Sequence, residues 1–454
     1  MRRGAIAALV GLLLLLLVLA GCSDGQEQAK EPDVLKVADI DENNFYSMYG
    51  DYLNAAYPNT RIEFISAKDA SDWKVSFEER AKRWKQLVQI EQPDLIVLRD
   101  DEIYQSLADE GLLTDLSPYM QSSGITEQIH PGVLELMKQN RDGLPYGMAT
   151  IFTATKLYYN EDLFREYGID LPRDGMTWEE LLQLAYRFTA ASTSSDAPVG
   201  YYQSYSGPME LASYIGSTEG LSMYRLNAGK VTLDTTAWQQ VFHTVLSHYK
   251  DGTFRSFTPE GKISTDGTTY YDQEASLSAD WFSKGRAAMT IGSYGSFRNV
   301  KFKLGSVNPP VDASTRSRSA DFYANHKLAI RAGSSEVRAA WGFIQFMVSD
   351  YVAKVSAQQA NDIGVPSRMS YGQFANNEGA AGLYKQMPAI TPPDDRSGVD
   401  TSFYEGFYSM LKQEISDVLA DKQTEEGMLK RMQEQGQKLL DAAKANAGSK
   451  GQKG

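Results

Sequence analysis

The sequence predicts an α/β protein with chain enough for two domains. Strand-type and helix-type segments alternate through its first hundred residues, and at 454 residues it exceeds one ordinary domain. No internal repeat is present. Strands separated by helical segments pair in parallel through right-handed crossovers.

The elements follow in order. "VLKVADI" (34–40) reads as a buried strand. Phe45, Met48, Tyr49, Tyr52, Leu53 and Ala56 then recur at helical spacing and stop before Pro58. "RIEFIS" (61–66) alternates as a strand, a helical stretch runs through Trp84 and Leu87, and "DLIVL" (94–98) is a third strand. Ile103, Leu107 and Ala108 open another helix, ended by Gly111. Thr177 and Glu180 have capping-box spacing ahead of Leu181, Leu184, Ala185 and Phe188. Val337 to Val348, Tyr404 to Leu419 and Met428 to Leu440 read as later helices. The stretches 190–200 and about 251–269 read as loops, the second long enough for a lid or side insertion.

The two ends differ from this body. Arg2 and Arg3 precede an apolar run from Ala5 to Ala20, shorter than the about 20 residues of a membrane-spanning helix. A basic start, a short apolar stretch and small residues make a secretory signal. Cys22 is the only cysteine, so an exported chain has no internal disulfide. Leu19-Ala20-Gly21-Cys22 resembles the lipobox of bacterial lipoproteins. That resemblance implies a signal over 1–21 and a diacylglycerol thioether on Cys22. It also implies location on the extracytoplasmic face of the cell membrane. Each buried CH₂ contributes about 0.8 kcal/mol, so two or more acyl chains anchor stably. Residues 22–33 read as a flexible polar tether and 443–454 as a disordered tail.

Charge narrows the partners. The chain carries 45 basic and 58 acidic residues, net −13. Losing Arg2 and Arg3 with the signal leaves 43 against 58, net −15. Such acidity argues against nucleic acid, whose phosphates need a basic surface.

Familiar reactive constellations fail on spacing. Asp39, Asp41 and Asn43 match the opening of a calcium loop, but Asn44 replaces its glycine and Gly50 its closing glutamate. His130, His243, His248 and His326 do not cluster as zinc ligands. There is no phosphate loop, no G-x-S-x-G elbow and no dinucleotide fingerprint. The sequence therefore assigns no catalytic residue, metal or cofactor.

In open α/β sheets, ligands lie beyond the carboxyl ends of strands. "DENN" (41–44) follows the first strand and "RDDE" (99–102) the third, which makes Asp41, Glu42, Asn43, Arg99 and Asp101 the candidates for polar contacts. Asn43 or Asn44 could equally cap the next helix. Sugar rings stack their C–H faces on aromatics. Among aromatics in Gly- or Pro-containing stretches, Tyr146, Tyr201, Tyr202, Tyr294 and Tyr323 are candidates, with Trp281. Trp178 and Trp341 lie on helical faces and read as packing.

Four stretches together resemble the extracellular solute-binding proteins of bacterial ABC importers, in the family-1 group that includes maltose-binding protein. They are "PDLIVLRDDEIYQSLADEGLLTDLSPYM" (93–120), "GLPYGMATIFTATKLYYNEDLFREYGIDLPRDGMTWEELLQLAYRFT" (143–189), "WFSKGRAAMTIGSYGSF" (281–297) and "DIGVPSR" (362–368). The resemblance implies a two-lobed periplasmic-binding-protein-like fold of type II, closing on ligand by a hinge. Lobe one would comprise 34–148 plus 327–362, and lobe two 149–326 plus 363–442. Crossings are implied near Pro145–Phe152, Phe322–His326 and Gly364–Ser367. It further implies a monomeric, non-enzymatic carrier that takes a carbohydrate, an oligosaccharide by the family's usual cleft, to membrane permease subunits. Tyr294 stands where members often have Trp, and Leu98 where maltose-binding protein has an aromatic, so maltose itself is not implied. The residues alone leave two alternatives open: a non-sugar ligand such as a polyamine or peptide, and an anchored glycosidase using two carboxylates.

Overall fold

The computed structural model describes residues 32–191, 197–264, 268–324, 326–358, 364–374, 378–390 and 398–451. The signal, Cys22 and nearly all of the tether lie outside the described residues.

The strands that carry the architecture are, in chain order, β1 (Val34–Asp39), β2 (Arg61–Ser66), β3 (Leu95–Leu98), β4 (Gly147–Ala149), β5 (Ile151–Asn160), β6 (Val199–Ser204), β7 (Phe254–Phe257), β8 (Ala287–Ser293), β9 (Leu304–Val307), β10 (Phe322–Tyr323), β11 (Lys327–Ile330) and β12 (Val365–Pro366). One sheet has the order β2-β1-β3-β11-β4, the other β9-β5-β8-β6-β7 with β10 and β12 on β5. β3 is buried along its whole length, as a central strand covered on both faces must be. β1 pairs in parallel with β2 and β3, as the sequence predicts.

Helices flank both sheets. The chain enters α1 (Glu42–Phe45) and continues through a π turn at Tyr46–Gly50 and a further α turn at Asp51–Ala56. It stops one residue short of Pro58. Then follow α2 (Phe77–Glu91), α3 (Asp101–Asp109), α4 (Pro131–Met137), α5 (Trp178–Ala191), α6 (Thr236–Lys250), α7 (Val337–Met347), α8 (Asp350–Gln358), α9 (Ser402–Leu419) and α10 (Glu425–Gly451). The capping box before α5 forms as predicted: Glu180 N donates to Thr177 Oγ1 at 3.2 Å, and Thr177 N to Glu180 Oε2 at 3.0 Å. Trp178 and Trp341 are core residues. Trp178 packs edge-on against Tyr201 and Tyr214 under the second sheet, with Phe188, Phe242 and Phe407 in the same cluster. Burying a side chain of this size contributes about 2–3 kcal/mol, so this cluster fixes the second lobe.

Three crossings join the sheets. The chain leaves β4 at Ala149 and enters β5 at Ile151. β10 pairs with β5 just before β11 joins the first sheet, and β12 pairs Val365 with Phe152. Ser367 ties the third crossing to the first, donating from Oγ to Ala149 O at 2.7 Å and from N to Thr150 O at 2.9 Å. Gly364 has φ +148°, and a Cβ there would come within 2.8 Å of Phe152 O, so this crossing requires glycine.

Three sequence expectations need correction. The stretch about 251–269 is no single loop: Phe254–Phe257 is the edge strand of the second sheet, and Lys262–Ile263 pairs with Thr269–Tyr270 as a hairpin. The block 363–442 does not belong whole to lobe two. Val365, Tyr371, Ala380 and Leu383 pack in the first lobe's cluster with Phe152 and Phe322, because β12 holds the segment at the crossings. The tail is ordered through Gly451 as the end of α10. Ala443 is buried, and Lys444 Nζ donates to Leu226 O at 2.7 Å.

Candidate functional site

Strand direction locates the site. In the first sheet, Lys327 pairs with both Leu98 and Ala149, which puts the carboxyl ends of β1, β3 and β4 at the first crossing. In the second, Ser293 at the end of β8 pairs with Thr155 near the start of β5, and β6 and β7 run parallel to β8. The carboxyl ends of these strands also point toward the crossings. The two sets of strand ends thus converge where ligands bind in open α/β sheets.

On the first lobe those ends carry paired charges. Asp39, fully buried, holds Arg99 in a two-pronged bridge, accepting from Nε on Oδ1 at 3.1 Å and from NH2 on Oδ2 at 2.7 Å. Burial nevertheless raises the Asp39 pKa, and Arg99 only partly offsets it. Arg99 NH1 lies 3.1 Å from His326 Nε2. Because burial, and then the Arg99 and Lys327 charges, push the imidazole down to about 4, it is neutral and accepts this bond. Buried Lys327 pairs with Asp101 and donates to Ala324 O at 2.8 Å. Arg80 reaches Asp100 at 3.3 Å and lies 4.0 Å over the Trp73 ring. Asp100 in turn caps α3, accepting from the N–H groups of Glu102 and Ile103. A pocket of about 190 Å³ opens here, lined by Trp73, Arg80, Arg99 and Asp100 among others. Trp73 is 70% exposed.

On the second lobe, Tyr205 follows β6 with φ +58°, rare for a tyrosine, and its ring meets Tyr271 at 4.9 Å. Both are well exposed, as is Phe257 at the end of β7. Tyr294 lies in the turn after β8. The Tyr158 hydroxyl braces that turn, donating to Ser293 O at 2.9 Å and accepting from Gly295 N at 2.9 Å. Tyr294 packs against the first lobe's core, so it spans the two lobes.

The predicted residues therefore divide. Arg99 and Asp101 meet in the charged cluster. Asp41, Glu42 and Asn43 are exposed beside it, with Asp41 serving as cap of α1 by accepting from Asn44 N at 2.8 Å. Tyr294 and Tyr323 lie at the crossings. Tyr323 is 36% exposed, and burial of its hydroxyl and nearby Asp321 push it up to about 12. Tyr146, Tyr201, Tyr202 and Trp281 are corrected, Tyr201 being a buried member of the second lobe's core. Tyr146 precedes β4, at the end remote from the crossing, and its hydroxyl donates to Asp142 at 2.6 Å. Tyr202 is 2% exposed, with its hydroxyl donating to Ala279 O and its ring stacked 4.9 Å from Trp281. Trp281 is taken up by that stack and by Arg286, 4.2 Å over its ring. Trp73, Arg80, Lys327 and Tyr205 were missed. An exposed aromatic in a Lys/Asp-rich loop after the second strand was the available signal for Trp73.

Two α/β lobes joined by three crossings, with polar and aromatic groups converging at the joint, are the architecture of a solute-binding protein. Residues 40–354 match the family described as bacterial extracellular solute-binding protein, and the chain belongs to that family. Among curated relatives, it is 22% identical over 351 residues to the sn-glycerol-3-phosphate-binding periplasmic protein UgpB of Pectobacterium atrosepticum, across 74% of this chain and 73% of that one. Among solved structures it is similar to the sugar-binding protein MalE of Xanthomonas citri, with TM-score 0.63 and 14% identity over 90% of this chain and 98% of that one. It is also similar to the ABC substrate-binding protein Lmo0181 of Listeria monocytogenes, solved with cycloalternan, with TM-score 0.57 and 16% identity over 90% and 98%. At such identities the structures establish the fold.

Proposed function

We propose that this chain captures an uncharged oligosaccharide between its lobes and delivers it to the permease of an ABC importer, held at the extracytoplasmic membrane face by a lipid on Cys22. One observation carries the ligand class. Every cation named at the first-lobe strand ends has a carboxylate partner: Arg99 with Asp39, Lys327 with Asp101, and Arg80 with Asp100. A phosphate entering there would meet an anion beside each cation. A hydroxyl-rich neutral ligand finds donors and acceptors fixed in place and an exposed indole to stack on. Charge neutrality thus favours a sugar over the glycerophosphate that the UgpB relatives are named for.

Closure follows from contacts on both lobes. A ligand touching the Arg99 cluster and the Tyr205 side favours the closed state over the open one. Shifting such an equilibrium from 1:99 to 99:1 takes about 5.5 kcal/mol of differential binding, within reach of several hydrogen bonds and two stacked rings. No bond is made or broken, and the permease takes the ligand from the closed form.

A thermal-shift panel on the purified chain tests the reading with neutral oligosaccharides, sn-glycerol 3-phosphate, glycerophosphocholine, spermidine and short peptides. Stabilisation by an oligosaccharide supports it, since a ligand at 100 times its Kd adds about 2.7 kcal/mol. Stabilisation confined to a phosphate ester, polyamine or peptide overturns the sugar. Hydrolysis of a bound glycan would overturn the carrier.

A further inference from the structure

A second cavity, of about 330 Å³, lies at the root of the crossings and shares no lining residue with the strand-end pocket. Its walls include Tyr49 and Asp51 from the helical segment after β1, Ile151 and Pro366 from two crossings, Val355 from α8, and Tyr371.

Two independent features mark it. The segment that forms one wall is the π turn at Tyr46–Gly50, an irregularity frequent at functional sites. Tyr49 is 1% exposed, and its hydroxyl is closed off from the cavity beside the Thr150 side chain. Asp51 is exposed at the cavity and forms no ion pair among the described residues, and no Lys or Arg is among the described residues lining it. Apolar side chains supply much of the remaining wall. The chemistry that fits is an apolar body with one cationic group for Asp51.

The position couples this cavity to the crossings. Tyr49 lies beside Thr150 and within electrostatic range of Asp39 and Arg99. Ile151 and Pro366 pair with each other between β5 and β12. An occupant therefore touches both strands that must bend when the lobes close.

We propose that this cavity is a second binding site, for a small aryl- or alkylamine, and that its occupancy biases lobe closure. The binding claim stands alone, and the closure claim rests on the closing-lobe reading above.

Tyramine is the probe, titrated calorimetrically into the full mature chain, with 4-hydroxyphenylacetate as the anionic control. Saturable tyramine binding without binding of the acid is expected. Asp51→Asn should weaken tyramine about tenfold, the equivalent of one lost charge-assisted hydrogen bond. Val355→Trp, which fills the cavity, should abolish binding with unchanged circular dichroism. Ala55→Met serves the same purpose if the larger residue prevents folding. Absence of saturable binding, or binding indifferent to both Asp51→Asn and the filling variant, overturns the site. Closure is read by energy transfer between dyes on Glu78→Cys and Lys412→Cys in a Cys22→Ser chain. A change on adding tyramine supports the coupling, and binding without a change overturns the coupling alone. Absence of oligosaccharide stabilisation in the thermal-shift panel would overturn the sugar and leave the tyramine result intact.

Discussion

Arg99 grips Asp39 through two hydrogen bonds, 3.1 and 2.7 Å long, joining the ends of adjacent parallel strands beside the first crossing. The carboxylate is fully buried and the guanidinium partly open to solvent. The pair therefore has a structural half and a ligand-facing half. Removing one member of a buried pair costs about 3–5 kcal/mol, because the other is left uncompensated. Arg99→Met should lower stability to urea by several kcal/mol at neutral pH, and the deficit should shrink toward acid pH, where Asp39 protonates. Adding Asp39→Asn should restore most of the loss. Equal stabilities of Arg99→Met and the double variant would show that the uncompensated Asp39 charge is not the source of the loss.

Trp73 offers the opposite case, a large aromatic with little structural duty. Its indole is 70% exposed, and among the described residues its ring contact is with Arg80. Trp73→Ala should change stability by less than about 1 kcal/mol, as exposed substitutions do. It should weaken oligosaccharide binding up to about tenfold, the worth of one aromatic stack. Tyr146→Phe should leave affinity unchanged, since that hydroxyl serves Asp142 at the far end of β4. Calorimetric titration of both variants decides. Weakening by Tyr146→Phe and none by Trp73→Ala would relocate the site.

The contrast between Trp73 and Tyr146 shows what the sequence could carry. β1 and β3 were legible because their apolar runs are short, β-branched and bounded by polar loops, and the rule for strand ends then led to Arg99 and Asp101. The crossings were not readable from periodicity and came from family resemblance, which placed them well. Choosing among 26 tyrosines was beyond composition. Tyr202 and Tyr205 are three residues apart, yet one is buried under Trp281 and the other projects past the strand end at positive φ. Only tertiary packing separates them. "FRSF" was too short to register as a strand, although it completes the second sheet's edge. The final stretch "AKANAGSK" reads as tail through its Gly, Ser and Lys, but its alanines are strong helix formers and Ala443 packs inside.

The anchor proposed on Cys22 has its own test. Cys22→Ala should shift the protein from the membrane pellet to the soluble or unprocessed fraction while ligand affinity stays as in the parent. Fractionation followed by intact-mass measurement reads both processing and acylation. A protein that pellets equally in both forms, or a Cys22 carrying no acyl mass, would remove the lipid from the account.

Asp321 just before the second crossing gives the last test, through pH. It is buried among Ser319, Thr155, Tyr201 and Tyr323, and burial pushes its carboxyl up to about 7. An acid whose folded pKa is raised contributes stability below its unfolded value near 4, and loses it as pH rises to about 7. Buried His130 and His326 act in the other direction. Burial holds each at about 4 against an unfolded value near 6.5, so their contribution is full above about 6.5 and is lost as pH falls toward 4. The two effects oppose each other between pH 4 and 6.5. Asp321→Asn keeps the side chain's shape and an acceptor while removing the acid's slope. Its melting temperature should rise more steeply with pH than the parent's across that window, and the gap should be widest near pH 7. A shift of about three units corresponds to at most about 4 kcal/mol. Parallel melting curves for the two proteins would show that the Asp321 carboxyl ionises as readily in the folded chain as in the unfolded one.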